Sequence, residues 1–522
     1  MQTLRVFLFA AGLTCLAQTS IQVAEKPVSL LQALQSTLEN HPNIQIQQQQ
    51  VEFNRGALRI AAGQFDRTWV GNVSQGYTNT PLTQIQQLQA EQAGVLASFQ
   101  GIDSSGYGAG VQQQLRNGII IGPVAQVNRL LDNLQDLNGV STSNVAFQVT
   151  TPFLRGKGRE VVTAHERAAQ FTVDASVYDV NQTVAQQLAT TAGQYWNVVA
   201  AMRDLDIAKS AEKRGQDYAS EVRTLIDADR VARGEINNVN ANLAQRTSNR
   251  VAAEERLLQT QQALALAMGT RLMEITAFPM TTDPLPDWIA ANVPSITPEL
   301  VQSFIDRAVD RRADMLAATE RQRGAEVLLP AARNQLKPQL DATFSLGYSG
   351  LLEGKDYFRI FGSPFYGVGG PTATVGLKYS FAPKNNIAYG AVAEAQASIR
   401  QAELQKADVS RNIASSVVTA MISVTDAVAR LRKARDAVQS YQLALDGENE
   451  KFRLGVNSIV ELLTVEDRLT TALSTENAAQ LDYATAVVNL RYATGTLIDP
   501  RTNTHSIDKD VFTKPPFEWG AP

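Results

Sequence analysis

The chain has 522 residues, a formal net charge of −4 and 19% charged residues. This mild charge balance lacks the basic excess that is typical of nucleic-acid-binding proteins, and it excludes that class of partner. Aromatic residues make up only 7% of the chain. Such a low share favours long helices over a compact mixed core.

The N-terminus has the pattern of a secretory signal peptide, which we predict over residues 1–24. Arg5 places a positive charge before an apolar run from Val6 to Leu16. The run is shorter than the ~20 residues that a membrane-spanning helix needs, so a permanent anchor is the weaker alternative. Cleavage after Ala17 and cleavage after Ala24 both leave a small residue at the cut, and both stay open.

The only cysteine, Cys15, lies inside the predicted signal peptide. A lipid attached to Cys15 stays an alternative, although Thr14 immediately before it disfavours this modification. The rest of the sequence has no stretch of ~18 consecutive apolar residues, the length of a transmembrane helix. A mature chain that crosses a membrane must therefore form a closed β-barrel, because only helices and closed barrels satisfy the backbone hydrogen bonds in lipid.

Prolines indicate the domain organisation. Two spans of more than a hundred residues contain no proline, one after Pro152 and one after Pro383, and each predicts long helices. Between them lies a segment with five prolines, which predicts a linker. The predicted domains are the signal peptide, a first structural repeat at 25–277, the linker at 278–298, a second repeat at 299–498 and an irregular C-terminal tail at 499–522.

The second proline-free span carries apolar residues at heptad spacing, the pattern of helices packed side by side. The register breaks after Phe452, and Gly455 in the break can adopt the backbone angles of a reversal. We predict two antiparallel helices of roughly 50–60 residues each, joined near Gly455. The seam residues are Val417, Val424, Leu431, Val438, Leu445 and Phe452, then Leu462, Leu469, Tyr483, Leu490 and Leu497.

The first proline-free span repeats this plan, with Arg233-Gly234 in the place of the turn. Upstream segments also correspond at one constant offset, which places His41 on Arg312 and Trp69 on Leu340. We therefore predict a duplicated half-repeat, in which each copy is a short helix, strands and a long helical hairpin.

Between the short and long helices the apolar residues alternate with polar ones, the pattern of β-strands. Four strands are clear, and each approaches the 9–11 residues that a tilted strand needs to cross a bilayer. Residues 106–128, with a turn at Asn117-Gly118, predict an extra hairpin that either joins the wall or projects from it. The apolar positions are Trp69, Val73 and Tyr77; Val145, Phe147 and Val149; Leu340, Phe344, Leu346 and Tyr348; and Val375, Leu377, Tyr379 and Phe381.

Four strands cannot close a membrane barrel, because the smallest such barrels have about eight. If these are barrel strands, several copies of the chain must share one wall. A soluble sandwich could use the same alternation, but the helices are too long to cover a sheet.

Four motifs, in this order, resemble the TolC-like outer membrane efflux proteins (outer membrane factors) over residues 28–498. The first runs from Leu30-Leu31-Gln32-Ala33-Leu34 to Asn40-His41-Pro42, and the second is the helix-to-strand junction Leu336-Lys337-Pro338-Gln339-Leu340. The third is Phe452-Arg453-Leu454-Gly455 followed by Val460-Glu461-Leu462-Leu463, and the fourth is Leu490-Arg491-Tyr492-Ala493-Thr494-Gly495.

The resemblance implies an α+β membrane protein in outer-membrane lipid. Its strands would form one β-barrel in a homotrimer, continued by an α-helical coiled-coil tunnel across the periplasm. The implied function is the passive outer-membrane channel of a tripartite efflux or type I secretion system. The implied partners are a periplasmic adaptor (membrane fusion) protein and an inner-membrane pump of the RND, ABC or MFS type.

The resemblance also implies site residues at the helical tips. Adaptor contacts are expected at Arg233, Gly234, Arg453, Leu454, Gly455 and Val456. Glu461 falls where the family often carries an acidic residue that narrows the pore. Thr464 stands where a second acid is common, so a charged ring here would be weaker.

No catalytic constellation, metal site or cofactor site is predicted. The three histidines are isolated, and His41 before a proline is interpreted as a helix-end residue. The basic segment 155–159 lacks the spacing of a phosphate loop. The exported cargo and the pump type stay open. Two other classes remain as alternatives, a diffusion porin and a coiled-coil scaffold without a pore.

Overall fold

The computed structural model describes residues 26–134, 136–270, 278–287, 296–354, 362, 368–500 and 507–515. The predicted signal peptide, including Cys15, lies outside these residues. The described chain divides into two compact units. Unit 1 takes its residues from Met1–Ile44, Val184–Val301 and Val417–Pro522, and unit 2 from Gln45–Thr183 and Gln302–Ser416. Each unit therefore draws on both predicted repeats.

Short helices, strands and long helices follow one another twice along the chain. The helices are α1 Leu30–Asn40, α2 Pro42–Ala62, α3 Gln84–Gln92, α4 Arg159–Val162, α5 Ala164–Asp227, α6 Glu235–Ala267, α7 Pro298–Arg311, α8 Ala313–Asn334, α9 Asn386–Arg453, α10 Ile459–Ala493 and α11 Lys509–Thr513, with one 3-10 turn at Gly63–Phe65. The strands are β1 Lys26–Val28, β2 Thr68–Pro81, β3 Phe99–Gln114, β4 Ile120–Asp132, β5 Asp136–Pro152, β6 Pro279–Thr281, β7 Gln339–Glu353 and β8 Val368–Ser380.

Unit 2 contains an antiparallel sheet in the order β2-β3-β4-β5-β7-β8. The expectation of about four strands is therefore corrected to six. The extra pair is the predicted hairpin, and β3 and β4 lie in the middle of the sheet rather than outside it. Its turn forms as predicted: Gly118 has φ +95°, and the Asn117 side chain accepts a hydrogen bond from the Ile119 N–H at 3.1 Å.

The short helices follow the constant offset that the sequence predicts. His41 separates α1 from α2, and Arg312 separates α7 from α8. The same offset relates the first residues of β2 and β7, Thr68 and Gln339. His41 ends α1 as interpreted: its N–H donates to the Thr37 carbonyl at 3.0 Å. Burial lowers the pKa of its imidazole.

The long helices are less equal than predicted. Helices α5 and α9 have 64 and 68 residues, whereas α6 and α10 have 33 and 35. The prediction of 50–60 residues each divided the span evenly and was wrong for this reason. Helix α9 begins directly after β8, and α10 ends before Gly495, whose φ of +65° stops the helix.

The predicted seam of α9 is buried in unit 1, where Val417, Val424 and Leu431 are at most 2% exposed. Helix α9 is also the one described helix that is long and apolar enough, by composition alone, to cross a membrane. The buried seam supplies part of this apolar character, since seam residues pack against other helices.

Part of the segment predicted as a linker is a strand, because β6 pairs in parallel with β1. Asp283, just after β6, holds three parts of unit 1 together. Its carboxylate accepts the Leu30 N–H at 2.7 Å, the Tyr195 hydroxyl at 3.2 Å and the Lys509 ammonium at 2.6 Å. Burial alone would raise the pKa of Asp283, but the hydrogen bonds from Lys509, Leu30 and Tyr195 lower it below its ordinary value.

Candidate functional site: an exposed apolar sheet face and two helical tips

The six-stranded sheet carries most of its large apolar side chains on one face and most of its polar ones on the other. Residues paired directly across an antiparallel ladder point to the same side, so the register assigns each face. The apolar face carries Trp69, Val73, Tyr107, Val111, Ala125, Val145, Phe147, Phe344, Leu346, Tyr348, Val375, Leu377 and Tyr379. The polar face carries Asn72, Ser74, Gly106, Gly108, Gln126, Asn128, Asn144, Gln148, Ser345, Thr374 and Lys378.

The apolar face is exposed in the single chain. Trp69 is 82% exposed, Leu346 68% and Leu377 72%. A soluble sheet buries its apolar face against a core and turns the polar face to water. Here the apolar side chains of β2, β5, β7 and β8 are largely exposed, whereas several of those of β3 and β4 are half-buried or, at Val127, buried. An exposed apolar sheet face is the arrangement of a wall between lipid and water.

The sheet also has two free edges. Strand β2 at one end and β8 at the other each pair with a single neighbour among the described strands. Unpaired backbone N–H and C=O groups at an edge are templates for pairing with another chain. In lipid, where water cannot satisfy them, these edges require a partner strand.

The second helical tip closes at the predicted glycine. Gly455 has φ +73°, and its N–H donates to the Phe452 carbonyl at 2.9 Å while Val456 donates to Lys451 at 3.0 Å. This pair of bonds is a Schellman motif, which needs a left-handed residue after the helix. On the far side Ser458 caps α10, and its hydroxyl accepts the Glu461 N–H at 3.4 Å.

Glu448 fixes the loop of this tip to the end of α9. Its carboxylate accepts hydrogen bonds from the Lys451 ammonium at 2.6 Å and from the Asn457 side-chain amide. The hydrogen bond from Lys451 is the main reason why the pKa of Glu448 lies below its ordinary value. The loop is thus held by an ionised carboxylate.

The first tip does not reverse at Gly234. Gly234 has φ −68°, within the range of any residue. The left-handed residue is instead Asp229, with φ +55°. Its N–H donates to Ile226 at 3.0 Å, and the N–H of Arg230 donates to Leu225 at 2.9 Å. The equivalence of Arg233-Gly234 to Leu454-Gly455 is therefore corrected, because Asp229 holds the place in the first repeat that Gly455 holds in the second.

Sequence reasoning missed Asp229 because it searched for glycine. Aspartate is one of the few other residues that adopt the left-handed region. A usable signal lay at the end of the second helix of each hairpin. Gly269 follows α6 and Gly495 follows α10, and both glycines have positive φ. The sequence distance between Gly269 and Gly495 equals the distance between Asp229 and Gly455, so the equivalent of Gly455 in the first repeat is Asp229.

The tip residues predicted from the resemblance are exposed. Leu454 and Val456 are 72% and 73% exposed, and Arg453, Gly455, Arg233, Gly234 and Glu461 are also exposed. Directly behind them the two helical hairpins share an apolar cluster of Ala219, Val222, Val239, Leu445, Phe452, Ile459, Leu462, Leu463 and Leu469. The cluster fixes the tips as one rigid base that presents uncovered apolar side chains.

A buried ion network lies two turns from the second tip and was not predicted. Glu466 is fully buried, and its carboxylate meets Arg214 Nε at 2.6 Å and the Arg246 guanidinium. Arg246, only 4% exposed, also reaches Asp467 at 2.9 Å and donates to the Ala211 carbonyl at 2.9 Å. The network links α5, α6 and α10.

Comparison with known proteins agrees with this architecture. Residues 304–496 match the family described as "Outer membrane efflux protein". The chain is 22% identical over 389 residues to "Outer membrane protein TolC" of Escherichia coli (strain K12), which covers 73% of this chain and 76% of that protein.

Solved structures share the fold. The CmeC outer membrane channel of Campylobacter jejuni superposes with a TM-score of 0.64 at 15% identity, over 91% of this chain and 87% of CmeC. The MtrE outer membrane channel of Neisseria gonorrhoeae gives 0.60 at 16% identity, over 91% of each chain.

The match over residues 304–496, the relative and the shared fold all agree with the resemblance to TolC-like outer membrane efflux proteins that the motifs predict.

Proposed function

We propose that three copies of this chain form the outer-membrane channel of a tripartite efflux or type I secretion system. In this proposal the six-stranded sheets join into one barrel, with the apolar face toward lipid and the polar face around water. The observation that carries it is the uncovered apolar face, bounded by two unpaired edges. A single chain in water could satisfy neither.

The unpaired edges of the sheet, β2 and β8, explain why several copies of the chain would assemble. If β2 of one copy pairs with β8 of the next, every backbone group of the wall gains a partner. Head-to-tail pairing of identical copies forms a closed ring when the rotation between neighbouring copies completes a full turn. The trimer is taken from the family resemblance.

The helical tips would couple the channel to its periplasmic adaptor. Leu454 and Val456 are apolar, exposed and held on a rigid base, which suits a contact with a periplasmic adaptor. Arg233 and Arg453 add positive charge at the same tips. Energy for export would come from an inner-membrane pump of the RND, ABC or MFS type, and Glu461 would face the narrow aperture.

Two adjacent residues of β7 test the lipid-facing side. Arginine at the membrane midplane on the lipid face of a barrel costs about 2–4 kcal/mol per copy, whereas lumen positions tolerate charge. We expect Leu346→Arg to reduce the amount of protein in the outer-membrane fraction, and Ser345→Arg, on the polar face, to leave it close to wild type. Equal insertion of the two variants, or loss with Ser345→Arg alone, would contradict the proposal.

A further inference from the structure

The two repeats differ by one strand pair. Their first long strands begin at Thr68 and Gln339, and the left-handed residues of their tips are Asp229 and Gly455. The stretch from Thr68 to Asp229 is longer than the stretch from Gln339 to Gly455. The additional residues of the first repeat include β3 and β4, which have no counterpart among the described residues of the second repeat.

The inserted pair is built into the sheet. Strand β3 pairs with β2 along its length, and β4 pairs with β5. Tyr107 lies opposite Val73 and Val127, and Ala125 lies opposite Val145. The apolar face thus continues across the insertion at these rows, while Ser105 and Arg129 lie on the same face further along β3 and β4.

On the polar face the centre of β3 contributes almost no side-chain volume, whereas β4 places Gln126 and Asn128 there. Strand β3 places three glycines there, Gly106, Gly108 and Gly110. A Cβ added at Gly108 would collide with the Asn72 side chain, and one at Gly106 would meet Ser74. Polar side chains of β2 therefore lie over bare backbone of β3, and the inserted pair lengthens the wall.

We infer that the β3–β4 insertion widens the part of the pore that lies in the membrane. The inference rests on the proposed trimer. Three copies then close eighteen strands, where two equal repeats would close twelve. Because barrel diameter grows roughly linearly with strand number, the wall is about 1.5-fold wider and encloses about 2.2-fold more area. A lumen of this size suits a bulky polymer or polypeptide as well as small solutes.

A thiol placed in the lumen measures this width. Gln148 lies on the polar face of β5, is exposed, and belongs to a strand that remains when residues 99–132 are deleted. The mature chain has no other cysteine once the predicted signal peptide is removed. Gln148→Cys is made in the full chain and in the deletion variant, and intact cells are treated with polyethylene-glycol maleimides of increasing diameter. Val375→Cys, on the apolar face, is the matched control.

We expect the largest reagent that labels Gln148→Cys to be about 1.5-fold wider in the full chain than in the deletion variant. Equal cut-offs would overturn the inference and leave the proposed channel standing. Failure of even the smallest reagent to label Gln148→Cys, with labelling of Val375→Cys, would instead refute the proposed channel itself. If the deletion variant does not assemble, the wall of the full-length assembly is counted by electron cryomicroscopy: eighteen strands support the inference and twelve refute it.

Discussion

The buried ion network gives the sharpest energetic prediction. Replacing Arg246 by methionine removes a guanidinium from a fully buried carboxylate, that of Glu466. Breaking a buried pair by removing one partner costs about 3–5 kcal/mol, because the remaining charge is left uncompensated. Arg214 stays within 2.6 Å of Glu466, so we expect the lower end, about 3 kcal/mol.

The assay is hydrogen exchange of the backbone amides in α6 and α10, which reports local opening free energies. A loss of about 3 kcal/mol accelerates exchange roughly 150-fold, since about 1.4 kcal/mol is a factor of ten. The double variant Arg246→Met with Glu466→Leu removes both charges and should recover most of this loss. Arg400→Met breaks a surface pair with Glu403 and should change exchange by less than about fivefold.

The reasoning fails under either of two results. Exchange in Arg246→Met that matches wild type would mean that Glu466 is solvated or held adequately by Arg214. Faster exchange in the double variant than in Arg246→Met alone would mean that the ion pair itself stabilises the helices. The loss in Arg246→Met would then not come from an uncompensated Glu466 charge.

Three further predictions concern the tips. Gly455→Ala places a side chain on a residue with φ +73° and should destabilise the second tip by about 1–2 kcal/mol, measured as faster local hydrogen exchange. The control Gly234→Ala, at φ −68°, should have little effect. Equal effects of the two substitutions would refute the turn assignment. The hydrogen bond from Lys451 lowers the pKa of Glu448 below the ordinary glutamate value of 4.5. Protection of the loop amides from hydrogen exchange should therefore stay constant as the pH falls to that value, and should decrease only at lower pH. Loss of this protection between about pH 7 and 5 would contradict the prediction. Glu461→Ala should raise single-channel conductance or weaken cation preference in planar bilayers, and unchanged values would remove Glu461 from the aperture.

Much of the fold follows from periodicity in the sequence. The heptad seam found α9 and α10 because apolar residues on one helix face must be buried, and Val417, Val424 and Leu431 are. Alternation found the strands and placed Leu346 and Leu377 on the apolar sides of their own strands. It could not decide that the face is exposed, since alternation is the same for a face against a core and a face against lipid.

Other features depend on tertiary contacts that leave no local pattern. Helix lengths were misjudged because the turn at Gly455 lies off the centre of its proline-free span. Asp229 escaped because only glycine was sought at the left-handed position that follows the helix, and aspartate also adopts it. The Arg246–Glu466 pair joins residues of different repeats, which no spacing rule connects.

The most direct test of the shared wall is a covalent link between neighbouring copies. Trp69 near the start of β2 and Tyr379 near the end of β8 are exposed residues of the two edge strands on the apolar face. The account predicts that a chain carrying both Trp69→Cys and Tyr379→Cys, treated in its membrane with a short bifunctional thiol reagent, gives covalent dimers and trimers and nothing larger. Chains that remain monomeric under this treatment would contradict it.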